Sequence, residues 1–172
     1  SLGYKSVNTY EMFGMSYLKI DKDSLAEKYF NEALILEPQN SSILYRIASL
    51  KYKKKEHKSA MSHLKRSIRS AKPDLYKQYF LMGILLKEEG ELKEAINYFE
   101  QSVQNNSYYH NALYELAVAS DAYYKDKKIA YKRYQNYMDR FEKRDKAMTT
   151  FIKSRMGERL SFLISFSSDK II

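Results

Sequence analysis

The sequence predicts an all-α fold, a solenoid of stacked antiparallel helix hairpins. The first observation behind this prediction is a pattern that returns every 34 or 35 residues. Small residues recur at Gly14, Ala48, Gly83 and Ala117, a second small set recurs at Ala26, Ala60, Ala95 and Ala130, and a large apolar set recurs at Phe30, Leu64, Phe99 and Tyr134. Three registers that shift together are typical of repeated units stacked along a chain.

The second observation is the helical spacing of apolar residues inside each period. In the first period, one stripe consists of Tyr10, Phe13, Gly14, Tyr17 and Leu18, and a second consists of Leu25, Ala26, Tyr29, Phe30, Ala33 and Leu34. Pro38 is predicted to end the second helix, because proline disfavours helix in the residue before it. Asp23 and Asn40 are each predicted to cap the helix that follows. Each period therefore indicates a hairpin of two helices.

This pattern resembles the tetratricopeptide repeat family. The family pattern carries an aromatic, an apolar residue, Gly or Ala, and Tyr on the first helix, then Ala, Phe and Ala on the second, and a closing Pro. The first unit supplies the whole set with Tyr10, Phe13, Gly14, Tyr17, Ala26, Phe30, Ala33 and Pro38, and the third supplies Tyr79, Met82, Gly83, Gly90, Ala95 and Phe99. The resemblance implies a right-handed α-α superhelix.

Four tetratricopeptide-like units are predicted, over residues 7–40, 41–75, 76–109 and 110–142. The second departs from the pattern at Lys51 and at a late Pro73, and the fourth has an extra turn residue and Tyr137 in place of a small residue. Beyond them, a stripe predicts an amphipathic capping helix over 145–166, followed by a tail over 167–172. The stripe consists of Met148, Ile152, Met156, Leu160 and Leu163. The alternative is that this helix docks on another chain.

Charge is distributed in blocks along the chain, whose net charge is +9. Residues 51–72 carry nine basic and one acidic side chain, residues 73–124 carry three and eight, and residues 125–159 carry twelve and five. Blocks of this kind steer charged partners, but lysine also keeps exposed helices soluble. The basic blocks therefore leave open a binder of nucleic acid or of an acidic partner.

The sequence offers no support for catalysis, a metal site or a cofactor. His57 and His63 are six residues apart, which on a helix directs them to different faces, so they are poor joint metal ligands. There is no HExxH motif, no glycine-rich phosphate loop and no nucleophile elbow. Cysteine is absent, which excludes disulfides and thiol chemistry and fits either a reducing or an oxidising compartment. We predict that the chain is not an enzyme.

The resemblance also implies where a partner would bind. In tetratricopeptide arrays the first helix of each unit lines the concave face, so the first-helix residues not used for hairpin packing are the candidate groove. The selected residues are Met15, Tyr45, Ser49, Tyr52, Lys53, Lys77, Phe80, Ile84, Tyr114 and Val118, and Asp121 lies on the same face. Tyr45, Phe80 and Tyr114 occupy equivalent positions and would form an aromatic row, and aromatic residues often anchor interfaces.

The leading hypothesis is a non-catalytic module that binds a peptide or protein segment in this groove. A second hypothesis is the basic-patch binder, and a third is structural self-association through the C-terminal helix and the apolar tail from Phe162 to Ile172. No apolar run approaches the ~18 residues that a membrane helix needs. No signal peptide is visible, and the chain begins Ser-Leu-Gly with Tyr10 already inside the first unit. We interpret it as a fragment whose compartment the sequence does not indicate.

Overall fold

A computed structural model of the chain describes residues 6–70 and 75–168, with side chains up to Arg159. Within these ranges the backbone forms nine α-helices and no strand, which confirms the all-α prediction. The helices are α1 (Val7–Lys19), α2 (Asp23–Leu36), α3 (Ser41–Lys53), α4 (His57–Ser70), α5 (Tyr76–Glu88), α6 (Leu92–Asn105), α7 (His110–Tyr123), α8 (Lys127–Phe141) and α9 (Lys146–Ser168). The chain consists of two compact modules, an N-terminal and a C-terminal one, and the boundary between them lies between Leu85 and Leu86, inside α5.

The N-terminal module has its core between α1, α2 and α3. Gly14 lets α1 and α2 approach, because a Cβ at this position would overlap the ring of fully buried Phe30. On α3, Ile47 and Leu50 complete the cluster against α2. Beside it, Tyr17 stacks on Tyr29 with ring centroids 5.4 Å apart. The small residue that recurs in each period is thus needed, in the first hairpin, for the close contact of two helices.

Helix ends in this module follow the sequence signals with one exception. The Asn40 side chain accepts a hydrogen bond from the Ile43 amide at 3.1 Å, as predicted for a cap of α3. The prediction that Asp23 caps α2 is wrong, because Asp23 is the first residue of the helix and its carboxylate lies 2.8 Å from Lys53 Nζ on α3. The helix α2 ends at Leu36, before Pro38, whereas Pro73 lies outside the described residues.

The hairpin turns share one backbone feature. Asp21, Lys55 and Gly90 all have positive φ, at 53°, 62° and 85°, and they are 34 and 35 residues apart. Each lies between the two helices of one hairpin, in a left-handed conformation that favours glycine. In the fourth hairpin the additional residue lengthens α7, which has 14 residues where α1, α3 and α5 have 13, and three residues again separate the two helices. None of these three turn residues has positive φ, and the φ of Tyr124 is −81°. In this turn, Lys127 Nζ instead donates to the carbonyls of Asp121 and Tyr124 at 2.6 and 3.0 Å.

The C-terminal module has its core between α7, α8 and α9, and α6 packs against α7. Tyr134 and Tyr137 are fully buried there, together with Ile152 of α9. Of the predicted stripe on α9, Met148 and Met156 are half-buried against the same cluster, and the side chains of Leu160 and Leu163 lie outside the described part. The helix α9 thus covers an apolar surface of the α7–α8 hairpin.

Candidate protein-binding groove

A pocket of about 230 Å³ lies in the N-terminal module, where the end of α1 and the start of α2 meet α3. It is lined by Leu18, Asp23, Tyr45, Arg46, Ser49, Leu50 and Lys53. Three residues selected from the sequence, Tyr45, Ser49 and Lys53, therefore meet at one place. They share a pocket because they lie four residues apart on α3 and so face the same side of that helix.

Charges surround this pocket in opposite pairs. Lys53 Nζ lies 2.8 Å from Asp23 and 3.6 Å from Asp21, and the Asp23 hydrogen bond raises the pKa of Lys53. On the other side, Arg46 Nε donates to Glu11 at 3.1 Å, which ties α3 to α1. The paired charges leave the pocket close to neutral. Leu18 and Leu50 add apolar surface to the pocket beside these polar side chains.

The remaining predicted residues of this module lie apart from the pocket. Met15 lines a second, open concavity of about 520 Å³ along α1. Tyr52 is half-buried, 6.1 Å from the ring of His57. On α5, Phe80 and Ile84 are half-buried and Lys77 is exposed, with its ammonium 5.6 Å from the centroid of the Tyr76 ring.

In the C-terminal module, two predicted groove residues are partly used for packing. Tyr114 and Val118 contact the buried cluster of α7, α8 and α9. The ring of Tyr114 meets the edges of Tyr137 and Phe151 at centroid distances of 6.1 and 5.9 Å. Burial is the main reason that the pKa of Tyr114 is raised. Phe151 of α9 thus covers one side of a ring that the sequence assigned to the groove.

The expectation that Asp121 lines the groove is wrong. Asp121 is only 3% exposed, and two arginines of α9 hold its carboxylate. Arg155 donates from Nη2 and Nε at 2.9 and 3.2 Å, and Arg159 donates from Nε and Nη2 at 2.8 and 3.0 Å. The Tyr134 hydroxyl adds a bond at 3.2 Å, and Lys127 Nζ lies 3.5 Å away. Asp121 is therefore the anchor of α9.

This anchor shifts the pKa values of its members. Burial raises the pKa of Asp121, but the hydrogen bonds and charges of Arg159 and Arg155 outweigh burial and hold it below its ordinary value of 3.8. Burial, and then the negative charge of Asp121, raise the pKa of Tyr134. The signal that could have revealed the cluster is the spacing of Arg155 and Arg159, because residues four apart share one face of a helix.

Many cations of the two basic blocks are bound within the fold. In the first block, Lys51 and Lys54 reach Glu27 at 2.8 and 2.6 Å. Burial raises the pKa of Glu27, but both lysines outweigh it and lower the pKa. In the second block, Arg133 binds Glu100 at 2.6 Å, and Lys153 binds Glu142 at the same distance. These pairs reduce the positive charge that a polyanion would meet.

Two other kinds of site are absent from the part of the chain that the structure describes. No three His, Asp or Glu side chains within it are grouped so that they could hold a metal ion. None of its helices combines the length and the apolar character that crossing a membrane requires.

The family model of the tetratricopeptide repeat matches residues 7–40 and 76–109. No match was found among curated protein sequences. Solved structures with the same fold include MamA 41-end from Desulfovibrio magneticus RS-1, at 15% identity, with both chains fully covered and a TM-score of 0.76. Pseudomonas aeruginosa pilF is similar at 15% identity over 98% of this chain and 84% of its own, with a TM-score of 0.77.

YrrB, described as a TPR protein with an unusual peptide-binding site, is similar at 14% identity over 98% of this chain and 90% of its own, with a TM-score of 0.74. At these identities the likeness concerns the fold, which is typical of protein-interaction scaffolds. The fold likeness, the nine helices of the described residues and the two matched units all indicate helix-hairpin repeats. The chain contains tetratricopeptide repeats and has the all-α fold of a tetratricopeptide-repeat protein.

Proposed function

We propose that this protein is a non-catalytic scaffold that binds a segment of another protein on the first helices of its repeats. The observation that carries the proposal is the pocket shared by Tyr45, Ser49 and Lys53. One half-buried aromatic ring, one hydroxyl and one ammonium there surround a volume of about 230 Å³, which suits a single large side chain. Support also comes from YrrB, a protein of the same fold whose description names a peptide-binding site.

The proposed partner is an extended or helical segment with an apolar anchor. Leu18 and Leu50 give the pocket apolar walls, so transferring an aliphatic or aromatic side chain from water into the pocket is favourable. Ser49 already donates to the Tyr45 carbonyl at 3.0 Å, so its oxygen is available mainly as an acceptor. Met15, Tyr52, Lys77, Phe80, Ile84, Tyr114 and Val118 are proposed as further contacts along the groove.

The experiment selects random peptides on the purified chain by phage display and titrates the enriched peptides against variants. Tyr45→Ala removes the ring from the pocket, and we expect it to weaken binding roughly 30-fold, as for a central interface residue. Tyr108→Ala is the matched control, because Tyr108 is 76% exposed and is not part of the pocket. Selected peptides that bind Tyr45→Ala with unchanged affinity would refute the assignment of the pocket.

The same preparation tests the competing hypothesis of a polyanion binder. Binding to a single-stranded or duplex oligonucleotide that weakens steeply with salt would favour the basic blocks. We expect weak binding, because Lys51, Lys54 and Arg133 are held in ion pairs. Self-association through the tail remains a prediction, since the side chains from Phe162 to Ile172 lie outside the described part.

A further inference from the structure

A further pocket of the N-terminal module lies between the turn that precedes α3 and the end of α4. It has a volume of about 460 Å³ and is lined by Gln39, Arg66, Arg69 and Ser70. Gln39 lies in the turn, and the other three residues belong to the end of α4. Arg66 is half-buried and Arg69 is exposed. The two arginines are three residues apart and therefore share one face of the helix.

Backbone carbonyls hold both guanidinium groups of this pocket. Arg66 Nη2 donates to the Pro38 carbonyl at 2.9 Å, and Arg69 Nε donates to the Lys65 carbonyl at 3.2 Å. Among the described residues, neither arginine forms an ion pair with an acid. A guanidinium has five N–H donors, so most of the donors of each arginine remain available, and both positive charges remain uncompensated.

The Gln39 side chain adds further donors. The Ser70 hydroxyl donates to Gln39 Oε1 at 2.6 Å, which uses the carbonyl oxygen of the amide and leaves its NH₂ group for a ligand. The described lining of the pocket thus presents donors from two guanidinium groups and one amide, and it contains no carboxylate. A donor set of this kind is suited to an anion.

The repeat itself does not require this pair of arginines. At the equivalent positions of the other three hairpins no side chain is basic. These positions hold Glu32, Gln101 and Asn136 for Arg66, and Ile35, Gln104 and Asp139 for Arg69. Four other arginines each bind a carboxylate within the fold, and they are Arg46, Arg133, Arg155 and Arg159. The pocket therefore combines two charges that neither the repeat pattern nor an internal acid explains.

We propose that this pocket binds the phosphoryl group of a phosphorylated side chain in a partner protein. A phosphoryl monoester has three terminal oxygens and a charge of about −1.5 to −2 at neutral pH, so it can accept from both guanidinium groups and neutralise them together. A carboxylate has two oxygens and a single charge, and it would leave one arginine uncompensated. A phosphodiester of nucleic acid likewise carries one charge per phosphate.

This inference does not rest on the proposed function, because no residue lines both this pocket and the pocket of Tyr45. Different variants separate the two proposals. Tyr45→Ala is expected to keep the part of the affinity that depends on the phosphoryl group. Arg69→Gln is expected to keep the affinity for unmodified peptides selected at the Tyr45 pocket.

The experiment selects on the purified chain from a library of random peptides with one fixed phosphoserine. Each enriched peptide is then synthesised with phosphoserine and with serine, and both forms are titrated by fluorescence anisotropy. We expect the serine form to bind at least about tenfold more weakly, because it lacks the charge-assisted hydrogen bonds. If no peptide is enriched, or if the two forms bind equally well, the proposal is wrong.

Variants then locate the binding site. Arg69→Gln, and the double variant Arg66→Gln with Arg69→Gln, are expected to abolish the difference between the two peptide forms. Arg140→Gln is the matched control, because it removes the same charge from an exposed arginine that also donates to a backbone carbonyl, that of Ser107 at 3.2 Å, outside this pocket. Equal weakening by Arg69→Gln and Arg140→Gln would overturn the assignment of the pocket.

Two competitors test the source of the phosphoryl group. Inorganic phosphate is expected to displace a selected phosphopeptide only at concentrations at least about tenfold above the dissociation constant of the peptide, because the peptide adds contacts around the phosphoryl group. Displacement at equal concentration would indicate a small phosphate ion as the ligand and would refute a protein partner. A single-stranded oligonucleotide that binds more tightly than every selected peptide, and is weakened by Arg69→Gln, would instead assign the pocket to nucleic acid.

Discussion

Replacing Asp121 by asparagine is expected to destabilise the protein by about 3 kcal/mol. The carboxylate is 3% exposed and accepts four hydrogen bonds from Arg155 and Arg159 and one from Tyr134. Asparagine keeps the size but has only one acceptor oxygen, and its amide hydrogens would face the guanidinium donors. Removing one partner of a buried ion pair costs about 3–5 kcal/mol. The lower end applies, because the arginine side chains are 33% and 18% exposed and water can reach them.

The assay is thermal and urea unfolding of Asp121→Asn, followed by circular dichroism, with amide hydrogen exchange resolved along the chain. At about 2–4 °C per kcal/mol, the midpoint should fall by about 6–12 °C. Exchange should accelerate first in α9, while α1 to α3 keep their protection. Asp139→Asn is the control, because Asp139 is an exposed carboxylate of α8 that bonds only within its helix, to Gln135 at 2.7 Å. Equal effects of the two variants, or unchanged exchange in α9, would refute the anchor.

Further predictions concern three glycines and the pH dependence of stability. Gly14→Ala should lower the free energy of unfolding by about 1–3 kcal/mol, because the new methyl group overlaps Phe30. Gly157→Ala should stabilise α9 by up to about 1 kcal/mol, because no atom lies within 4 Å of the added Cβ and alanine favours helix. Gly90→Ala should cost about 1–2 kcal/mol through backbone strain alone, since φ is 85° and the space is open. Urea unfolding of the three variants gives these signs, and any reversal contradicts the geometry. The contribution of the Asp121 carboxylate to the free energy of unfolding should be complete above pH 3.8, and it should be lost as pH falls below that value through the folded-state pKa. Acid unfolding of the protein and of Asp121→Asn would show this loss, because the difference in stability between the two should shrink as pH falls.

The repeat made much of the fold predictable, because a hairpin contact depends on residues close in sequence. The small residue at Gly14 and the large one at Phe30 belong to one hairpin, and their period marks where its helices meet. The Asn40 cap followed from a local rule and is confirmed. Asp23 obeyed the same rule in sequence but not in the structure, because Lys53 offers an ion pair from the next hairpin. Local rules fail where a residue of another unit competes for the same group.

The candidate site was harder to predict than the fold. Choosing groove residues by position treats every repeat alike, and Tyr45 and Tyr114 then look equivalent. In the structure Tyr45 lines a pocket, whereas Tyr114 packs against Phe151 of a helix outside the repeat pattern. Asp121 was misplaced for the same reason, since its partners are 34 and 38 residues away and belong to α9. Position in a repeat predicts a residue's orientation but not what covers it.

The Asp121 anchor also constrains how this protein can change in length over evolution. Repeat arrays lengthen by duplication of whole hairpins, and a new hairpin placed between α8 and α9 would separate the arginines of α9 from Asp121. The last helix could dock again only if the inserted copy carried an acid at the same register. Among the earlier hairpins that register holds Leu18, Tyr52 and Lys87. Placing a copy of one of those between α8 and α9 would leave Arg155 and Arg159 without a counter-charge, so an insertion at that point requires a copy of the fourth hairpin itself.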